Sequence, residues 1–225
     1  MKKHYAVIGL GRFGFSVAKT LAKYDAEVIA IDSEEERVKK AADFVTYAVQ
    51  LDAIDEKALR SVGVQNVDTA IVSIGENIEA SILVVMLLKE LGIRNIIAKA
   101  VTTLHGKVLQ NLGVNRIIFP ERDMAIRVAH SLIRPSVLEQ LELSEEYSIV
   151  ELPTPDNLIG KTLKDTQLRT RYGVNLIAIK RKITTEKGIM KDSWNVNPLP
   201  TDTIEKEDIL VLIGLNEDLD KMGIK

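Results

Sequence analysis

The sequence predicts an α/β protein: a Rossmann-like, doubly wound parallel sheet followed by a small α+β C-terminal domain. Three observations point there. The apolar run Ala6-Val7-Ile8 feeds a glycine turn of the form G-x-G-x-x-G at Gly9, Gly11 and Gly14, and a helical pattern follows at once. Asp32 closes a second apolar run, Val28 to Ile31, roughly twenty residues further on. Strand-like and helical runs then alternate with a regular beat as far as Phe119.

Each part of the turn has a physical reason. Gly9 allows the tight passage from strand to helix, Gly11 lets the backbone approach a pyrophosphate, and Gly14 lets the helix pack close to the sheet. The helix start offers unpaired N–H donors and a partial positive charge to phosphates. Asp32 can accept both hydroxyls of an adenosine ribose, and its charge opposes a 2′-phosphate. NADP is therefore a poor fit, while NAD(H), ATP and ADP all present a free ribose. A domain that keeps its glycines for packing alone is the competing explanation.

The strand-like runs are His4–Gly9, Glu27–Ile31, Phe44–Val49, Thr69–Ser73, Asn95–Lys99 and Arg116–Phe119. Helical patterns lie between them at Arg12–Tyr24, Glu34–Ala41, Asp55–Val62, Glu76–Leu91 and Thr103–Leu112. Gly63, Gly92 and Gly113 sit just past the last three helices, where a left-handed cap is wanted. Asp123 to Leu141 is helical again, with a break at Pro135 and a second short helix after it. Its apolar positions cover more than one face, which suits a helix of which part packs on another subunit; packing on the sheet alone is the other reading.

After Ser144 the texture changes. Tyr147–Leu152 is strand-like, Pro153 and Pro155 bracket a turn, and Leu163–Tyr172 is a polar helix. Val174–Lys180 is a strand, Ile183 to Met190 a hairpin with Lys187-Gly188 near its turn, Asp208–Ile213 a last strand and Glu217–Lys221 a short helix. The predicted divisions are 1–122 for the Rossmann-like nucleotide-binding domain, 123–143 for a helical linker and dimerisation segment, and 144–225 for the small α+β C-terminal domain.

Composition narrows the function. The 225 residues are 46% hydrophobic, enough for real cores, and the net charge of −2 gives no reason to expect a nucleic-acid partner. Without cysteine there are no disulfides and no thiolate metal sites. His4, His105 and His130 are scattered, none with a partner at metal-ligand spacing. Ile78 to Leu91, the most apolar stretch, is too short and too charged to cross a bilayer. No signal-peptide core precedes Gly9, so a soluble, intracellular protein is expected.

In an open parallel sheet the ligand sits outside the carboxyl ends of the strands. The polar residues there are Asp32-Ser33, Asp52, Gly75-Glu76-Asn77, Lys99 and Glu121-Arg122, beside the glycine turn. Arg12 can form paired hydrogen bonds to phosphate oxygens. Lys99 either neutralises phosphate or pairs with an acid, and Asp52 either reaches the base or ribose or caps the next segment. Glu121 can hold a divalent cation near phosphates or act as a helix N-terminal acid. His105, early in its helix, is expected at the surface or as a satisfied polar residue. No His, Tyr or Lys stands in a catalytic context, which leaves an NAD-dependent oxidoreductase as the runner-up.

Gly9-Leu10-Gly11-Arg12-Phe13-Gly14, Asp32, Ala70-Ile71-Val72-Ser73-Ile74-Gly75, Lys99-Ala100 and Pro120-Glu121-Arg122-Asp123 resemble the cytosolic regulators of Trk/Ktr-type potassium uptake. Tyr147 to Leu152 and Arg171-Tyr172-Gly173 resemble that family's C-terminal domain. The resemblance implies a non-catalytic gating subunit that binds ATP, ADP or NAD(H) through Gly9, Gly11, Arg12, Phe13, Gly14, Asp32, Ser33, Asp52, Lys99 and Glu121. It implies a homodimer assembling into an octameric ring, cytoplasmic and peripheral to the inner face of the cell membrane, beneath a potassium-translocating membrane subunit. Glu121 would help hold a divalent cation, Mg or Ca, and the C-terminal domain would take a cyclic dinucleotide near Leu163 and Arg169. A regulator of a different channel or transporter is a further alternative.

Overall fold

The computed structural model describes residues 2–133, 137–184 and 190–222, the side chain of His130 excepted. The chain divides into two compact units, Met1–Asp123 and Met124–Lys225.

The first unit is built on β1 (His4–Ile8), β2 (Glu27–Asp32), β3 (Tyr47–Gln50), β4 (Thr69–Val72), β5 (Ile96–Lys99) and β6 (Arg116–Ile118). These pair in the order β3-β2-β1-β4-β5-β6, every pair parallel. The chain moves outward from β1 to β3, then crosses back to β4, so the order reverses between β1 and β4. Helices α1 (Arg12–Lys23), α2 (Glu35–Ala42), α3 (Glu56–Ser61), α4 (Ile78–Glu90) and α5 (Thr103–Asn111) make the crossovers.

Both faces of the sheet are covered, which is why its central strands read as unbroken apolar runs. Successive side chains alternate between faces. Ile8, Ile31, Leu59, Val84, Leu88 and Leu109 belong to one core. Val7, Leu10, Ala18, Val28, Val38 and Ile71 belong to the other. Each fully buried Ile or Leu contributes about 1.5–3 kcal/mol.

Gly63, Gly92 and Gly113 carry φ of +79°, +82° and +77°, the left-handed caps predicted for them. Two boundaries differ from expectation. The N–H groups of Phe44 and Val45 both reach the Ala41 carbonyl and close α2, so β3 begins only at Tyr47. Asn77, expected inside α4, stands before it and caps it, its Oδ1 accepting from the Ala80 N–H at 2.9 Å.

A longer helix, α6 (Pro120–Ile133), opens on proline, which suits a first helical position. The break expected at Pro135 lies outside the described residues. The second short helix expected before Leu141 is not formed. Glu139–Glu142 is instead a strand, β7, antiparallel to β8 (Tyr147–Pro153). Its composition suits a helix, but Gln140 donates to the Ser148 hydroxyl at 3.0 Å and the edge of a sheet is available.

The second unit is an antiparallel sheet in the order β10-β9-β11-β8-β7, with β9 (Asn175–Thr184), β10 (Met190–Asn195) and β11 (Ile209–Leu215). The hairpin is longer than its apolar pattern implied, pairing from Thr184↔Met190 to Ile179↔Asn195. Its Lys187-Gly188 turn lies outside the described residues. The predicted helix Leu163–Tyr172 is two, α7 (Leu163–Thr166) and α8 (Leu168–Tyr172), divided at Gln167 with φ +49°. That left-handed step lets Leu163, Leu168 and Tyr172 all join one core with Val150, Leu158 and Leu212. A last helix, α9 (Asn216–Asp220), closes the chain. Just before β11, buried Asp208 takes both a 2.6 Å and a 2.8 Å bond from the guanidinium of Arg181 in β9 and a third from the Glu205 N–H at 2.8 Å. A carboxylate so enclosed is tolerated because its charge is paired and its oxygens are satisfied.

Candidate functional site

The carboxyl ends of β1 and β4 flank the point where the strand order reverses, and the glycine turn stands there. Gly9 has φ +92°, and a Cβ on it would approach the Ser73 carbonyl to 2.9 Å. A Cβ on Gly14 would lie 1.9 Å from the Gly9 carbonyl oxygen. Both glycines are therefore demanded by the fold itself. Gly11 is different: its φ is −62°, and a Cβ there would meet nothing within 4 Å. The protein alone gives Gly11 no reason to be glycine, whereas a ligand pressed against the backbone does. Gly11 is also the N-cap of α1, with no side-chain cap and no acid in the first turn. The positive end of the helix is therefore not offset by a side chain of its own first turn.

Asp32, at the end of β2, is 6% exposed. Its Oδ2 accepts from the Leu10 N–H at 2.6 Å, and its Oδ1 accepts from the Glu34 N–H at 2.9 Å. The predicted ribose acid therefore also pins the glycine turn to β2, which its sequence position did not reveal. Spare lone pairs on both oxygens remain for ribose hydroxyls. Arg37 of α2 stands 3.6 Å from the Asp32 carboxylate and 2.8 Å from Glu34. It was not among the predicted site residues; its one signal was the i, i+3 spacing to Glu34.

Lys99, Glu121 and Arg12 come together. The Lys99 ammonium meets the Glu121 carboxylate at 2.5 Å and lies beside Gly75, where a Cβ would stand 3.3 Å from the nitrogen. This hydrogen bond from Lys99 holds Glu121 below the usual carboxylate range, and the Arg12 charge adds to it. Glu121 is also in the first turn of α6, where the helix dipole favours an acid. Arg12 is the first residue of α1, exposed, and its guanidinium makes no hydrogen bond or ion pair among the described residues. Arg122 stacks 3.9 Å from the Phe119 ring centroid and pairs with Asp123 at 3.2 Å.

The remaining predicted residues are less engaged. Phe13 is half-buried, and Ser33 is exposed. Asp52 is exposed and its Oδ1 accepts from the Ile54 N–H at 3.1 Å, a turn within the loop; the cap of the next helix, α3, is Asp55, whose side chain accepts from the Lys57 and Ala58 N–H groups. His105 is a correction. It is 2% exposed, its Nδ1 meets the Val101 N–H only at 3.5 Å, and its Nε2 has no partner among the described residues. Burial lowers its pKa, favouring the neutral ring. No group of three or more His, Asp or Glu able to hold a metal occurs among the described residues. Glu121 thus offers a cation one carboxylate, already paired with Lys99. In the second unit Leu163 packs into the core, and Arg169 is exposed on α8.

A parallel sheet in this order, with a glycine turn, an uncapped helix start and a buried acid at its reversal point, defines a Rossmann fold of the nucleotide-binding class. The TrkA-N domain family matches residues 5–120, and the TrkA-C domain family matches residues 147–223. Ktr system potassium uptake protein C of Bacillus subtilis is 46% identical over 221 residues, covering 98% of this chain and 96% of the relative. Protein A of the Ktr system in the same organism is 43% identical over 96% of this chain and 94% of its own length. Among solved structures, the RCK domain of GsuK superposes with a TM-score of 0.63 at 19% identity, covering 98% of this chain and 46% of that one. The TrkA-N domain of the inner membrane protein ybaL from Escherichia coli gives 0.53 at 21% identity, over 59% and 98%. At such identities these likenesses establish the fold. The chain belongs to the TrkA family of Ktr and Trk potassium uptake proteins. No helix among the described residues is long and apolar enough to cross a membrane.

Proposed function

We propose that this chain is the nucleotide-binding regulatory subunit of a potassium uptake system, working at the inner face of the membrane under a potassium-translocating subunit. ATP, ADP or NAD(H) occupies the cleft at the strand-order reversal. The observation that carries this is Gly11: a half-buried glycine the fold does not require, with room for a Cβ beside it, at the uncapped start of α1. Leu10 to Gly14 would receive the phosphates, Asp32 the ribose, and Arg12 and Lys99 the outer negative charge. Arg12 supports the role because it is charged and exposed, and its guanidinium makes no hydrogen bond or ion pair among the described residues, its charge acting on Glu121 only at longer range.

The finer parts rest on the family resemblance. Two copies would meet so that a bound nucleotide biases the angle between them, and dimers would build an octameric ring. The exposed apolar residues of α6 (Met124, Ile126, Val128, Leu132 and Ile133, the last two more than 70% exposed) support contact with a second copy. A ligand shifts such an equilibrium only by its differential affinity for the two states, typically about 1–3 kcal/mol. A divalent cation at Glu121 would need its other ligands from phosphates or from the second copy. A cyclic dinucleotide site at Leu163 and Arg169 gains less, because Leu163 is taken up by core packing.

Calorimetry of the purified chain with ATP, ADP and NADH tests the proposal, together with co-purification of a potassium-translocating membrane protein. Binding of at least one of these ligands and nucleotide-dependent uptake are expected. Indifference to all three ends the proposal. Steady NADH oxidation with a carbonyl substrate would favour an oxidoreductase instead.

A further inference from the structure

The Lys99–Glu121 pair joins the phosphate end of the cleft to the first turn of α6. Lys99 is the last residue of β5, on the edge of the sheet where ligands bind. Its side chain is only 13% exposed, and its ammonium lies against Gly75, so it cannot swing into bulk water without leaving that niche. An enclosed ammonium needs an anion close by. In this structure that anion is Glu121, at 2.5 Å, and Glu121 itself is 70% exposed. A phosphate arriving at the glycine turn is a second anion competing for the same cation, with more oxygens and more charge. Three N–H donors would let one ammonium bridge both anions, but that holds two negative groups together, which their repulsion opposes.

We propose that Lys99 is an exchangeable counter-ion: a nucleotide phosphate displaces the Glu121 carboxylate from Lys99 and releases the first turn of α6 from β5. This inference rests on the nucleotide-binding function proposed above and adds its internal regulation. Ligand occupancy is thereby converted into loss of one contact on the helix that runs on to Ile133. While it holds Lys99, Glu121 competes with the phosphate for that cation; once displaced, its carboxylate is free for a divalent cation.

The test is a double-mutant cycle with the full chain, titrated with ADP in the presence of a chelator, so that no divalent cation takes part. The proteins are wild type, Lys99→Met, Glu121→Gln and the double variant, each checked by thermal melting. Glu121→Gln should bind ADP about two- to fivefold more tightly than wild type, the factor set by an ion pair with one exposed partner. Lys99→Met should bind more weakly. In the Lys99→Met background, Glu121→Gln should add nothing, because no competition is left to relieve. Equal or weaker binding by Glu121→Gln overturns the proposal. So does a gain that persists in the Lys99→Met background, which would be the general field of a carboxylate. Wild type that binds none of ATP, ADP and NADH removes the nucleotide function and this inference together; wild type that binds ADP with no gain in Glu121→Gln removes this inference alone.

Discussion

Asp32→Ala offers the sharpest single measurement, because one side chain is given both a structural and a binding duty. The substitution removes the acceptors of the Leu10 and Glu34 N–H groups, at 2.6 and 2.9 Å. Leu10 is 3% exposed, so water has little access to the donor left behind. A buried donor left unpaired costs about 1–3 kcal/mol, and a hydrogen bond to a charged group contributes about 1.5–3 kcal/mol. The Glu34 residue is exposed and water replaces most of its loss. The expected destabilisation is about 2–4 kcal/mol, or roughly 8–16 °C in the melting temperature of the first unit. Differential scanning calorimetry and urea unfolding measure it, and calorimetry with ADP measures the binding loss in the variant well below its melting point. Asp32→Asn keeps one acceptor oxygen, so it should recover part of the stability but not the ribose affinity. Unchanged stability in Asp32→Ala would refute the anchoring duty. Lost stability with full ADP affinity would refute the ribose assignment.

The two outer glycines and the middle one should separate cleanly. Gly14→Ala drives a Cβ into the Gly9 carbonyl and should cost roughly 2 kcal/mol or more in stability, whereas Gly11→Ala should stay within about 0.5 kcal/mol and lose nucleotide affinity. Arg12→Ala should erase a preference for ATP over ADP of about tenfold while leaving adenosine recognition near wild type; an unchanged ratio in competition binding would remove its phosphate role. Burial favours the neutral form of His105 in the folded chain, while the unfolded chain takes up a proton near the ordinary 6.5. The unfolded form then binds more protons, so stability should fall as the pH drops below 6.5. His105→Leu should weaken that dependence between about pH 7.5 and 5.5 in urea unfolding, and an identical slope would contradict it.

Much of the first unit was legible in the chain itself. Ala6-Val7-Ile8 and Ala70-Ile71-Val72 are continuous because their strands are buried on both faces, and Gly63, Gly92 and Gly113 mark helix ends by their left-handed geometry. Local signals of this kind report local structure. The second unit was harder. Glu139–Glu142 and Met190–Asn195 are edge strands without apolar alternation, formed because a neighbour offers its free backbone groups. The turn at Gln167 has no glycine to announce it. For the site, the residue types at the strand ends pointed to a nucleotide, but Arg37 beside Asp32 went unread, since its partner lies on another element.

The order of amino acids was enough to specify the fold class, the glycine turn and the acid after β2, because those depend on hydrophobic period and on backbone freedom at single positions. Three-dimensional contact alone settled the partners: Asp32 with Leu10, Lys99 with Glu121, Arg181 with Asp208, and His105 sealed away from solvent. Each of the three pairs joins residues more than twenty positions apart, and the burial of His105 depends on what folds over it. Charge and hydrogen-bond energies depend on distance and on access to water, and neither quantity exists until the chain has folded.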